Sequence, residues 1–423
     1  MLSWPGLEFR LGLALLYVIV AVRLIMKNRN MIFYLPVLIY AVAGFVSVLA
    51  IESGAYVLEE GRTGFENGAF SVYYIFVVST MFVIYYTIRK MKISIEFENN
   101  RTLFYVYSLI YALLVSYAIS RNTGFTRFDI FNAFPVSLRR FVIFVDMGYG
   151  YIYFYSLMKE RSLQVKMKYF LIFAVLLHIR GVEFGELLEA VVFLAIAIVL
   201  QSGGKKQRKE FSSKAIWSAG AIVALGMMAA AYVKISSVGN LANFLNRLVL
   251  QNHVLWGTMN VLKEQKADTG FSVYLAHFFS LAPFSTNLQY GLGKLMVAIS
   301  GNYAADLIQG GARFTGGYPA IMIYQFGYFV AFLINILLTY VFVQTIRFRF
   351  HLLNRYNFLI FAIGAKLLDS FSELYNMGEY GSFNIKFLFA CAFLLLLISS
   401  FGPKRHRKRK GVVLGNSLPL QSA

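Results

Sequence analysis

Apolar runs of membrane-crossing length constrain this chain most. A helix needs about 20 apolar residues to cross about 30 Å of hydrocarbon. Such runs lie near 8–25, 31–51, 70–88, 102–119, 141–158, 215–235, 320–346, 357–372 and 385–401, and a longer one covers 169–201. The runs lack strand alternation, so the lipid-exposed spans are expected to be helices, not barrel strands. Composition agrees: 58% of the 423 residues are hydrophobic and only 14% charged, against about 25% charged in soluble chains. The expected class is an all-α, polytopic integral membrane protein.

Charge sets the orientation. Segments 23–30, 89–101, 159–168, 202–214, 347–356 and 402–423 hold 25 of the 40 Lys and Arg. The positive-inside rule makes these loops cytoplasmic. Segment 52–69 carries Glu52, Glu59, Glu60 and Glu66 against Arg62 and reads as external. Both flanks of 169–201 are then inside, and its 33 residues would span about 50 Å, too long for one crossing. The run is expected to be a hairpin turning within His178–Gly185. That gives about 11 transmembrane helices, with the N-terminus outside and the C-terminus inside. Helices 1–8 fall within 1–235, with the hairpin at 169–201. A large periplasmic loop covers 236–319, helices 9–11 cover 320–401, and a basic cytoplasmic tail covers 402–423.

The external segments carry the candidate chemistry. Loops as long as 236–319 are usually functional, and a helix is expected around 240–264. It holds His253 and His277, two of five histidines. A neutral imidazole there can take a proton from a sugar hydroxyl, although a lone His is more often structural. Its exit, Gly310–Ala320, sets four glycines around Arg313 ahead of a helix N-terminus, an arrangement suited to anions. Arg121, Arg127, Arg139 and Arg140 in 120–140, and Arg247 among the basic residues of the large loop, break the usual depletion of positive charge outside. Such charge suits an anionic substrate.

At the hairpin turn, Arg180 is a charge near the outer headgroup level and needs a partner. A lipid-linked pyrophosphate fits, since guanidinium grips phosphate with two parallel donors. Pairing with Glu183 or Glu186, which only pins the turn, fits as well. Glu183, Glu186 and Glu189 follow at a spacing of three. A carboxylate against apolar surface can act as a base. For Glu189 the expectation is ion pairing and helix-dipole stabilisation. Charges inside the spans read as few, Asp146 and Lys366, which favours chemistry at the surface over transport.

Several classes are excluded. No G-x-x-x-x-G-K-[ST] loop or cytoplasmic nucleotide domain is present. The single cysteine, Cys391, permits no disulfide framework. The histidine spacing gives no metal signature, and no metal or cofactor is expected. The basic run Lys404–Lys410 reads as a topology signal and a contact for anionic membrane lipids, not nucleic acid.

Two motifs resemble those of the Wzy-type O-antigen polymerases. One is Ile179-Arg-Gly-Val-Glu-Phe-Gly-Glu-Leu-Leu188, similar to the family's Arg-Gly turn before an apolar helix. The other is Arg313-Phe-Thr-Gly-Gly-Tyr-Pro-Ala-Ile321 leading to Gln325-Phe-Gly327, similar to the loop exit before a late helix. The layout also resembles the family: ten or more spans, a medium external loop, then a large one. The resemblance implies a GT-C-like fold of the polymerase and ligase kind and a multi-pass protein of the bacterial inner membrane. It implies a glycosyltransferase that joins undecaprenyl-pyrophosphate-linked oligosaccharide units on the periplasmic face, with a chain-length regulator as a membrane partner. Arg180 and Arg313 would hold the pyrophosphate, with Arg139 and Arg140, and the external Arg127 and Arg247, assisting. His253, His277 or Glu183 would serve as the base. An O-antigen ligase and a polysaccharide flippase or other transporter are the competing readings.

Overall fold

The computed structural model describes residues 6–54, 63–89, 95–98, 101–121, 131–181, 184–201, 252–264, 288–289, 291–309, 318–377 and 392–393, with isolated positions 221, 225 and 228. The described residues are helical. The elements are α1 (Leu7–Lys27), a 3-10 turn (Arg29–Tyr34), α2 (Leu35–Glu52), α3 (Ala69–Ile88), α4 (Arg101–Arg121), α5 (Val136–Lys159), α6 (Leu163–Arg180), α7 (Phe184–Gln201), α8 (His253–Glu264), α9 (Gly291–Gln309), α10 (Ala320–Arg355) and α11 (Phe358–Met377). Five of them, α1, α3, α4, α5 and α10, are long and apolar enough to cross a membrane. The chain is therefore a multi-pass membrane protein. The runs at 215–235 and 385–401 lie almost wholly outside the described residues.

Buried charge fastens the bundle at one end. Arg10 of α1 donates to Glu52 at the end of α2 at 2.8 Å and reaches Glu66 at 2.6 Å. The second oxygen of Glu52 accepts the Gly68 amide at 3.0 Å, just ahead of α3. A carboxylate at a helix start satisfies amides that have no intrahelical partner. α8 docks on the same corner. Asn67 donates to the Trp256 carbonyl at 2.8 Å and to the Asn260 side chain at 2.7 Å, and the Trp256 indole donates to the Phe65 carbonyl at 2.8 Å. Glu52, residues 63–68 and α8, all in segments expected to be external, thus meet at one end of the molecule.

The opposite end gathers three of the basic segments. Arg101 pairs with Glu160 through two N–H donors, at 2.8 and 3.2 Å. Burial opposes ionisation of Glu160, but the Arg101 donors and the amides of Arg161 and Ser162 outweigh it and hold the carboxyl below its usual range. The Glu98 amide donates to the Lys159 carbonyl at 3.0 Å, and the Glu96 amide to the Asn354 side chain at 3.0 Å. The basic segments expected on one side of the membrane thus meet at one surface in their described parts, 95–98, 101, 159–160 and 354.

Segment 347–356 is not a loop, however. α10 continues to Arg355 and turns only at Tyr356. Its apolar face outlasts the expected span because Phe348, Phe350, Leu352 and Leu353 stay buried. Near its other end α10 bends at Gly327, where φ is 73° and ψ 172°, a backbone that side chains with a Cβ rarely adopt.

The hairpin consists of α6 and α7. α6 starts back at Leu163, so each arm has 18 residues, about 27 Å of helix. Gly181 ends α6 at φ 93°, its amide bonded to the His178 carbonyl at 3.1 Å, a glycine C-cap. At the inner end the buried Lys166 ammonium donates to the Ala197 carbonyl at 2.8 Å. α5 packs on both arms and on α11, and α10 packs on α3 and α11. That arrangement encloses the site described next.

The Arg10–Glu52 pair yields a stability prediction. Arg10→Met strands a buried carboxylate, which should cost about 3–5 kcal/mol, read as a fall in unfolding midpoint in detergent. Adding Glu52→Gln should recover part of that loss. An unchanged midpoint in the single variant contradicts the pairing.

Candidate functional site: a charged cavity within the bundle

Ionisable residues inside the spans are not few, contrary to the reading of the sequence. Six of them, from five helices, line one cavity of about 210 Å³: Asp146, Arg180, Glu186, Glu189, Arg349 and Asp369. Each of the four acids lies on an apolar helix where only a counter-ion or a polar cavity makes it tolerable. The arginines supply two counter-ions.

Arg180 lies in the last turn of α6 with its side chain 2% exposed. It donates to Asp146 of α5 at 2.6 Å and also contacts Glu186 of α7. Asp146 accepts a second bond at 2.6 Å from the Tyr111 hydroxyl of α4. One guanidinium therefore ties α5, α6 and α7, and the carboxylate beside it brings in α4. Arg140 sits six residues before Asp146 on α5, about 9 Å nearer the N-terminal end of that helix. Arg180 is thus held at the level of Asp146, well inside α5, because its partner is there.

A second group lies toward the inner end. Arg349 of α10 contacts Asp369 of α11, and the Tyr151 hydroxyl of α5 donates to the same carboxylate. Between the groups stands Glu189 of α7. It was expected to pair, but among the described residues it makes no ion pair or hydrogen bond. Arg180 is taken by Asp146 and Glu186, and Arg349 by Asp369. Glu189 is instead exposed into the cavity.

Aromatic packing fixes the walls. Tyr153 and Phe173 stack at 4.2 Å with 11° between the rings, and Tyr149 lies 4.3 Å from Tyr111 and 4.9 Å from Phe173. The Tyr153 hydroxyl donates to the Ala190 carbonyl at 2.9 Å, which ties α5 to α7 one residue after Glu189. These contacts hold α5, α6 and α7 in register, so the charges face one another without main-chain adjustment. Among the described residues no three His, Cys, Asp or Glu converge as metal ligands.

Of the residues singled out from sequence, Arg180 is in the cavity wall. Arg139 is not: its Nε donates to the Phe134 carbonyl at 3.0 Å, bracing the turn before α5. Arg140 is exposed on the next position. His253 is buried at the start of α8, its ring 6.2 Å from that of Trp256, and does not line the cavity. His277, Glu183, Arg313, Arg127 and Arg247 lie outside the described residues. Sequence reasoning passed over Arg349, Asp369, Tyr111 and Tyr151. The available signal was Asp369 itself, an acid within the apolar run 357–372, which demands a cation from a neighbouring helix.

Residues 285–391 match a protein family of unknown function, DUF6418. The matched segment contains Arg349 and Asp369, and the Arg180 half of the cavity lies before it. No curated protein matches the chain, and no solved structure matches it.

The two partners of Arg180 should differ in weight. The Asp146 carboxylate is 3% exposed and that of Glu186 25%. Asp146→Ala should destabilise the protein by about 3–5 kcal/mol, and Glu186→Ala by clearly less, in unfolding titrations in mixed micelles. The reverse order contradicts the geometry.

Proposed function

We propose that the chain is an O-antigen polymerase of the bacterial inner membrane. It would join undecaprenyl-pyrophosphate-linked oligosaccharide units on the periplasmic side. One observation carries the reading: Arg180, the arginine of the polymerase-like turn, stands in the wall of a charged, aromatic-lined cavity. The layout of spans and external loops supports it as well.

In this reading the terminal hydroxyl of the acceptor attacks the anomeric carbon of the donor chain, and undecaprenyl pyrophosphate leaves. Negative charge grows on the leaving oxygen. A fixed guanidinium stabilises such charge more than water does, because it needs no reorientation as the bond breaks. Arg180 is pre-aimed by Asp146. Glu186, the more exposed of its two partners, is the carboxylate that yields its place to the pyrophosphate. Arg139 and Arg140, toward the outer end of α5, attract the anionic lipid headgroup. Confining both substrates to one membrane supplies much of the remaining rate. The base candidates His277 and Glu183, and the anion-binding candidates Arg313, Arg127 and Arg247, belong to the same proposal.

A transporter for the lipid-linked unit is a second reading, favoured by the enclosure of the cavity between helices rather than at the surface. An O-antigen ligase shares the layout. A lipopolysaccharide gel from the native host with the gene deleted separates the three. Core carrying a single repeat, with the long ladder lost, is expected. Loss of every O-unit contradicts polymerase in favour of ligase or transporter. Restoring the gene as Arg180→Lys, which keeps a cation beside Asp146 but loses the two-pronged grip on phosphate, should leave the single repeat without loss of protein, and a normal ladder from that variant sinks the assignment of Arg180.

A further inference from the structure

Glu189 is the one acid of the cavity with no partner among the described residues. Asp146 is held by Arg180 and Tyr111, Glu186 by Arg180, and Asp369 by Arg349 and Tyr151. A lone carboxylate inside a membrane bundle is costly and marks a working group more often than a structural one. The walls around it point to a ligand as well: aromatic side chains bound the same cavity beside the charges, so a group held there meets flat apolar surface and polar contacts together.

Cavity size and walls narrow the ligand. At about 210 Å³ it is smaller than the roughly 300–1,000 Å³ of pockets for drug-sized ligands. It has room for one ring, not an oligosaccharide. Aromatic rings of Tyr153, Phe154, Phe173 and Phe361 line it beside the charges. A pyranose matches both: its C–H faces lie against aromatic rings, while its hydroxyls donate to carboxylates and accept from N–H groups.

We propose that the cavity seats the terminal sugar ring of the acceptor chain and that Glu189 takes the proton from its attacking hydroxyl. This rests on the polymerase reading and assigns the base within it. The hydroxyl O–H bond breaks and its proton passes to the Glu189 carboxylate. The oxygen's electron pair forms the bond to the donor's anomeric carbon. The bond from that carbon to the pyrophosphate oxygen breaks, and its electron pair leaves with undecaprenyl pyrophosphate. Glu189 then returns its proton to water. His253, buried against Trp256 outside the cavity, takes no part.

The test uses the purified full-length protein in lipid nanodiscs with an undecaprenyl-pyrophosphate-linked repeat unit, and scores chain extension. Glu189→Gln keeps shape and removes the base, and should lower kcat by about 100-fold or more with donor binding and protein yield unchanged. Glu189→Asp should keep part of the activity. Extension by Glu189→Gln within about threefold of the native protein overturns the proposal while leaving the polymerase reading intact. A loss carried by weaker donor binding, with kcat preserved, also overturns it. Should Glu189→Gln fail to accumulate, Glu189→Asp decides: partial activity supports the base, and none in a folded variant that binds donor overturns it. No extension by the native protein removes the reading itself and the proposal with it.

Discussion

A guanidinium cannot stay inside a membrane bundle without an anion beside it, and this molecule is arranged around meeting that need twice. Arg180 can be buried only because Asp146 and Glu186 reach it from α5 and α7. Asp146 in turn can be buried only because Arg180 and the Tyr111 hydroxyl satisfy it. The same dependence binds Arg349 to Asp369 and Tyr151. The Arg180–Asp146 pair cannot be removed piecemeal, since a stranded buried charge costs more than the pair contributes; the Arg349–Asp369 pair is more exposed. The helices that supply these residues are therefore held at fixed heights, and the space between them is kept open and polar.

The two ends of the bundle follow similar logic with less at stake. Arg10, Glu52 and Asn67 join α1, α2, α3 and α8 at one end. Arg101, Glu160, Lys159 and Glu98 join the helix ends on the other side, where water weakens each pair. Apolar packing against lipid gives little preference for one helix neighbour over another. Specific polar contacts at both ends and in the middle supply that preference. The cavity is the consequence in the middle, and Glu189, unpaired among the described residues, is what distinguishes it from a purely structural lock.

Much of this was legible in the sequence. Runs of apolar residues indicated a helical, multi-pass protein, and Lys and Arg counts separated the two ends: Glu52 and Trp256 do meet at one, and Arg101 and Asn354 lie at the other. The turn at Arg180 stood out because a charge interrupts a long apolar run. The cavity itself was hidden, because its partners are far apart in the chain. Asp146 and Arg180 are 34 residues apart, and Tyr151 and Asp369 are 218 apart. Period and composition carry no information about such distances. Arg349 was hidden for another reason: it lies in a basic segment expected to be a cytoplasmic loop, and only the continuation of α10 to Arg355 turns it toward Asp369. For Glu189 ion pairing and helix-dipole stabilisation were expected. The structure gives the nearby cations to other carboxylates.

The central claim is that this cavity receives the sugar on which the protein acts. A density map of the protein in a nanodisc with a bound undecaprenyl-pyrophosphate-linked repeat unit tests it most directly. The account predicts a sugar ring between the aromatic walls, with a hydroxyl in hydrogen-bond reach of Glu189. Saccharide density confined to the outer loops, with the cavity empty and Glu189 untouched, contradicts it.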